Sequence, residues 1–129
     1  MIPNHSGIAL LTAGVLMIAG CATTSTPPQR DVFLPGNAVE IDVERKLRDR
    51  PIAIVEDLLV GEPGVRVTGR EVRIRGSLQG PLWVIDGMQI DSPSGVNPYD
   101  VDRMWVSPSG HGYGRRGAHG VVIVTTRSR

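Results

Sequence analysis

The chain has a single cysteine, Cys21, which excludes an intramolecular disulfide. Aromatic residues make up only 4% of its 129 residues, and the formal net charge is +1. With neither a charge surplus nor base-stacking aromatics, no nucleic-acid partner is expected. The uncharged apolar run over residues 7–19 is thirteen residues long, short of the roughly 20 that a membrane-spanning helix requires. Histidine occurs only as His5, His111 and His119, and the last two stand eight apart without a neighbouring cysteine or a Glu-x-x-His pair. That spacing offers no metal site. The glycine-rich stretch 110–117 lacks the Lys-Ser/Thr of a phosphate loop and leads into a strand pattern rather than a helix, so nucleotide binding is not expected. Asp86, Asp91, Asp100 and Asp102 have turn, loop and helix-start explanations, and Ser77, Ser92 and Ser94 lack a nucleophile-elbow context. The reading is therefore non-enzymatic and without a cofactor.

The N-terminus carries the first positive signal. The 7–19 run fits the h-region of a secretory leader, although residues 1–6 contain no Lys or Arg. It ends in Ile18-Ala19-Gly20-Cys21, which looks like a bacterial lipobox with Cys21 as the lipidated residue. Several acyl chains such as palmitate would anchor the protein stably, whereas one chain binds only marginally. Ala22 is not the Asp that often retains lipoproteins at the inner membrane, and no acidic run follows Cys21. These features place the mature chain at the outer membrane, facing the periplasm. The expected organisation is a signal peptide over 1–20, a flexible Thr/Ser/Pro-rich tether over 21–37, and one folded domain over 38–129.

Within that domain, Val39, Ile41 and Val43 alternate with Glu40, Asp42 and Glu44, the pattern of a half-buried edge strand. Residues 51–60 read as a helix, with Pro51 in its first turn, Ile54, Val55, Leu58 and Leu59 on one face, and Gly61 with Pro63 as its stop. Val65, Val67, Val72 and Ile74 then alternate with polar residues around a Thr68-Gly69-Arg70 turn, giving a hairpin with one charged face. Residues 82–85 are apolar at consecutive positions, predicting a strand covered on both sides. Asp86-Gly87 suits a tight type I′ turn. Asn97-Pro98-x-Asp100 marks a helix start, Met104-Trp105-Val106 a strand, and residues 121–126 a central β-branched strand. The fold class is α+β, a small mixed sheet of four or five strands with two short helices.

The order of these segments resembles the plug domain of TonB-dependent outer-membrane receptors, especially the SusC-like branch. The resemblance rests on Pro81-Leu82-Trp83-Val84-Ile85-Asp86-Gly87, on Asn97-Pro98-Tyr99-Asp100-Val101, and on Tyr113-Gly114-Arg115-Arg116-Gly117-Ala118-His119-Gly120-Val121 leading into Thr125-Thr126. Val72-Arg73-Ile74-Arg75-Gly76 is close to a further strand motif of the family. The resemblance covers roughly residues 52–126. The family carries a helical stretch before the Tyr-Gly motif, and here the segment is the shorter Ser107-Pro108-Ser109-Gly110-His111-Gly112, read as a flexible loop. In the family a long β-barrel follows the plug. Here the sequence stops at Arg129, which reads as a plug-like domain on a lipid tether.

The resemblance implies an adaptor or assembly module attached to the membrane through lipid, with an outer-membrane receptor barrel or a TonB-like protein as partner. Arg73 and Arg75 on the hairpin, and His111, Tyr113, Arg115 and Arg116 on the loop, are the candidate partner-binding residues. A short extended segment upstream of the plug pairs with the energy-transducing protein in such receptors, so residues 38–44 carry that second reading beside the edge-strand one. The alternative function is a periplasmic lipoprotein that captures a small ligand with its glycine-rich loop.

Overall fold

A computed structural model describes Gly20 and residues 31–128; Cys21, the leader and most of the tether lie outside the described residues. Strand β1 (Val39–Ile41) starts the folded part at one edge of a five-stranded sheet. The alternating pattern does not continue as a strand to Val43. Asp42 instead caps helix α1 (Val43–Asp49), its side-chain oxygen accepting the Arg45 amide at 3.0 Å. Glu44 in the first turn and Lys46 and Arg48 in the last complement the helix dipole. Val43 is buried and Leu47, one turn on, packs beside it against the core.

The helix expected over 51–60 is a shorter 3-10 helix, Val55–Leu59, entered from an extended Ile54. The basic end of α1 reaches across to it. Lys46 donates to the Val60 carbonyl at 2.8 Å and pairs with Glu62, while Arg50 donates to the Asp57 carbonyl at 2.6 Å. Those carbonyls find side-chain donors instead of a further helical turn. The expected helix at Asn97 is likewise a single 3-10 turn, Pro98–Asp100, capped by Asn97 accepting from the Tyr99 amide. A third 3-10 turn is Gly114–Gly117. The expectation of two short helices is thus replaced by one α-helix and three 3-10 turns among the described residues. The α-helix overlaps the expected edge strand only at Val43 and Glu44, and otherwise covers residues for which the pattern gave no element.

Strands β2 (Val65–Thr68) and β3 (Glu71–Ile74) form the expected hairpin as a separate two-stranded sheet. Strand β4 (Leu82–Ile85) is buried at all four positions, and β5 (Met88–Ile90) pairs with it across Asp86 and Gly87, whose φ angles of 49° and 85° are those of the expected tight turn. The Asp86 carboxylate also accepts the amide and hydroxyl of Thr126 at 2.9 and 2.6 Å, fastening the turn to the end of the last strand. Strand β6 (Val101–Ser107) extends beyond the three residues expected, with a register shift between Val101 and Arg103. Strand β7 (Val121–Thr126) is central, antiparallel to β6 and parallel to β4, in the order β1-β6-β7-β4-β5.

Alternation along the strands divides the apolar side chains between two faces. Trp83, Ile85, Met104, Val122 and Val124 meet Val55, Leu58, Leu59, Val72 and Ile74 on one side. On the other, Leu82, Val84, Trp105, Val121 and Ile123 are closed over by Val32, Ala38 and Tyr113. The hairpin therefore roofs one face and the 107–120 segment helps roof the other. No helix among the described residues is long and apolar enough to cross a membrane.

Candidate partner-binding surface

The hairpin turns one face to the core and the other outward. In its register Arg66 lies directly opposite Arg73, a like-charge pair that is unfavourable in itself. Glu71 relieves Arg73, whose guanidinium bonds that carboxylate and the Leu78 carbonyl. Arg66 and Arg75 have no ion pair among the described residues. Arg75 follows β3 with a φ of 49°, and Gly76 continues the turn at 70°. The left-handed backbone here is held by the Arg75 amide donating to the Gly64 carbonyl at 2.7 Å. The three arginines line a shallow cleft of about 390 Å³ with Ser77 at its end.

The 107–120 segment is built differently. No helix forms over residues 107–112, as expected, but the loop is closed on itself. The Gly110 amide donates to the Gly117 carbonyl at 3.0 Å, and a Cβ on Gly110 would lie 2.5 Å from the Gly117 Cα. Only glycines permit that main-chain approach. Ser107 donates to the Asn37 side chain at 2.7 Å, and Asn37 donates to Ser109 at 2.6 Å. Tyr113 stands edge-on to Phe33 with ring centroids 5.6 Å apart and donates its hydroxyl to the Phe33 carbonyl at 2.6 Å. Burial pushes the Tyr113 phenol up from its ordinary pKa.

Among the six candidate residues, Arg73 is engaged by Glu71, Arg116 pairs with Asp91 at 2.6 Å, and Tyr113 is tied to Phe33. Arg75, His111 and Arg115 are exposed. The hairpin and loop sets meet through one hydrogen bond, Ser77 Oγ to His119 Nδ1 at 2.7 Å, and through Gly120, where a Cβ would lie 2.8 Å from Ile74 Cδ1. Sequence reasoning treated His119 as a plain loop histidine. Nothing local marks a contact spanning 42 positions. The same holds for Glu40 and Arg103, joined at 2.8 and 3.1 Å, with the Arg103 guanidinium 4.7 Å from the centre of the Trp105 ring. The Arg103 hydrogen bond holds the Glu40 carboxyl below the usual range. The β1–β6 register creates this cluster, and no motif signals it.

Residues 38–44 are tied into the domain. β1 pairs with β6, and Ile41 and Val43 are buried in the core, so pairing this segment with another chain by releasing it would expose both side chains. Of the carboxylates considered for acid–base work, Asp91 is committed to Arg116 and Asp86 to Thr126. No group of three or more His, Cys, Asp or Glu suited to a metal occurs among the described residues.

No protein-family model matches the chain. The chain is similar to the TonB-dependent receptor P26 of Formosa agariphila, 32% identical over 120 residues, covering 78% of this chain and 12% of that protein. It is 32% identical to the TonB-dependent receptor P39 of the same organism over 81 residues, 59% of this chain and 8% of that one. The TonB-dependent receptor SusC of Bacteroides thetaiotaomicron is 36% identical over 84 residues, 52% of this chain and 8% of its own length. Among solved structures, the RagAB peptide importer in its open-open state superposes with a TM-score of 0.59 at 30% identity, over 71% of this chain and 12% of that one. The siderophore receptor PirA from Pseudomonas aeruginosa superposes at 0.60 and 26% identity, over 74% and 19%. The chain spans 8–12% of the length of the curated relatives it matches.

Proposed function

We propose that the chain, whose described domain is similar to TonB-dependent receptors including SusC and superposes on part of two of them, serves TonB-dependent transport as a plug-like protein-binding module. It is a non-enzymatic outer-membrane lipoprotein, anchored through Cys21, tethered by residues 21–37 and facing the periplasm. Its partner is a receptor barrel or a TonB-like protein, met by the arginine face of the β2–β3 hairpin and the outer rim of the 107–120 loop. The observation that carries this reading is the unequal pairing of arginines. Arg73 and Arg116 are neutralised within the domain, while Arg66 and Arg75 stand unpaired among the described residues on one cleft. A partner carboxylate there would gain forked hydrogen bonds and relieve the Arg66–Arg73 repulsion.

The test is site-specific photo-crosslinking from Arg75 in intact cells, with the exposed Glu44 of α1 as the control position. Recovery of a receptor or TonB-like protein from position 75 and not from 44 supports the reading; equal recovery from both, or none, overturns it. The anchor is checked separately by labelled palmitate. Incorporation should vanish in Cys21→Ser, and label that survives the substitution overturns lipidation. The alternative, a periplasmic lipoprotein capturing a small ligand through the glycine-rich loop, is less favoured by the close approach of the Gly110 and Gly117 main chains.

A further inference from the structure

The segment leading into β1 is seated on the domain before the sheet begins. Val32 packs on the side of the sheet formed by Leu82, Trp105 and Ile123, and Pro35 is buried. The Ala38 amide closes a turn on the Pro35 carbonyl at 2.9 Å, and the Asn37 side chain joins Ser107 and Ser109 at 2.7 and 2.6 Å. The Phe33 carbonyl accepts the Tyr113 hydroxyl, and the Phe33 ring lies so close to Gly112 that a Cβ there would overlap it. The backbone from Val32 to Ala38 is therefore tied to residues 107–113 at several points.

This well-held segment nevertheless leaves Phe33 and Leu34 in water, 57% and 41% exposed. Single exposed apolar side chains are ordinary on a protein surface. Among the exposed large apolar residues described, these two alone are consecutive. The half-buried Tyr113 stands edge-on to the Phe33 ring, so the pair has a phenol at its margin, an amphipathic aromatic of the kind favoured at bilayer interfaces. The direction of the chain indicates what covers the pair. Phe33 follows Cys21 by twelve positions, and a chain of twelve residues reaches at most about 40 Å. Two part-exposed apolar side chains hold a bilayer weakly by themselves. A lipid on Cys21 makes the contact intramolecular and raises its effective concentration. The exposed Asp31 precedes the pair and the exposed Arg115 lies two positions after Tyr113, so no surplus of positive charge marks the surface. The attraction it offers is apolar.

We infer that Phe33 and Leu34 dock on the phospholipid surface to which the chain is anchored, with Tyr113 at the level of the headgroups. The inference rests on the lipid-anchor reading of Cys21 and not on the partner-binding one. Its consequence is orientation. Val32 and Tyr113 close one face of the sheet, whereas Val72 and Ile74 of the hairpin pack on the opposite face. Docking at Phe33 and Leu34 therefore turns the arginine face of the hairpin away from the membrane, and a domain on a tether takes up one fixed attitude.

The experiment takes the chain purified from membranes into nanodiscs of phosphatidylethanolamine and phosphatidylglycerol that carry a headgroup spin label, and reads amide relaxation by NMR. Broadening should be several-fold stronger at residues 32–34 and 112–113 than along the hairpin at 65–74, and should persist at high salt. Leu34→Ser keeps the Phe33–Tyr113 contact and should remove most of that difference. Leu78→Ser, at the most exposed large apolar side chain described, should leave it unchanged. Broadening that is even over the domain, that centres on the hairpin, or that survives Leu34→Ser overturns the inference. So does a photo-crosslink from position 34 in cells that captures a receptor protein instead of lipid. Palmitate incorporation is a separate readout: a chain that carries the label and shows no localised broadening overturns the docking and leaves the anchor standing, whereas a chain without the label overturns the anchor and the docking with it.

Discussion

The β2–β3 hairpin and the 107–120 loop are neighbours joined by the Ser77–His119 hydrogen bond, yet they treat their polar groups in opposite ways. The loop finds its partners within the domain. Gly110 bonds Gly117, Ser107 bonds Asn37, Tyr113 bonds Phe33 and Arg116 pairs with Asp91. The hairpin is secured from beneath by Val72 and Ile74 and leaves Arg66 and Arg75 unpaired above. A loop built in this way is specified by its own glycines together with Phe33, Asn37 and Asp91. The hairpin is held by its apolar face together with the Arg75–Gly64 and Ser77–His119 hydrogen bonds, and its outer face carries charge that those contacts do not use. On the reading proposed above, that surplus would meet a partner of opposite charge.

The contrast can be broken most forcefully at the base of the hairpin. Leu58 is fully buried beneath it, so Leu58→Ala should cost about 2–5 kcal/mol in urea unfolding and loosen the hairpin with the core. A loss under 1 kcal/mol would mean the hairpin is held by something other than its apolar face. Gly110→Ala comes next. The added methyl meets both the Gly117 main chain and the buried Val121 side chain, which predicts about 1–3 kcal/mol of destabilisation and shifted amide resonances across 107–120. A neutral result would mean that the loop is not packed on itself. Tyr113→Phe removes one hydroxyl-to-carbonyl bond while keeping the ring contact, and should cost about 0.5–1.5 kcal/mol by thermal melt. The smallest effect has the opposite sign. Arg66→Gln should stabilise the domain by about 0.2–1 kcal/mol at low salt by removing the like charge opposite Arg73, with the gain fading as salt rises. Stabilisation in isolated protein combined with loss of the Arg75 crosslink in cells would separate binding from folding on one residue.

Much of the sheet was legible because it rests on local chemistry. Four consecutive apolar residues at 82–85 can only be a strand covered on both sides in a chain this small, and they are buried at all four positions. Asp86-Gly87 carries its turn in its backbone preferences, and the alternation over 65–74 gave the hairpin with its charged face outward. The helices were less legible. Val39, Ile41 and Val43 fit a strand by period two, but Asp42 is also an N-cap, and the choice between them fell to the burial of Val43 and Leu47 on the same side. Residues 51–60 have helical spacing, but Lys46 and Arg50 reach the carbonyls at its end and the segment settles as one short 3-10 helix. The candidate surface was half visible. The arginines could be read as charge, and period two already puts Glu71 on the same face as Arg73, while the pairing of Arg116 with Asp91, 25 positions away, is established only by the folded chain.

The sequence by itself determined the strands, their turns, the lipobox pattern around Cys21 and the resemblance to receptor plugs, because periodicity, turn propensity and short motifs act over a few residues. Only the tertiary structure decided which charges are cancelled, that Ser77 meets His119, and that Glu40 meets Arg103 over the Trp105 ring. Those outcomes depend on strand register and layer packing, which bring together groups tens of residues apart and set, for each, whether water, protein or an outside partner completes it.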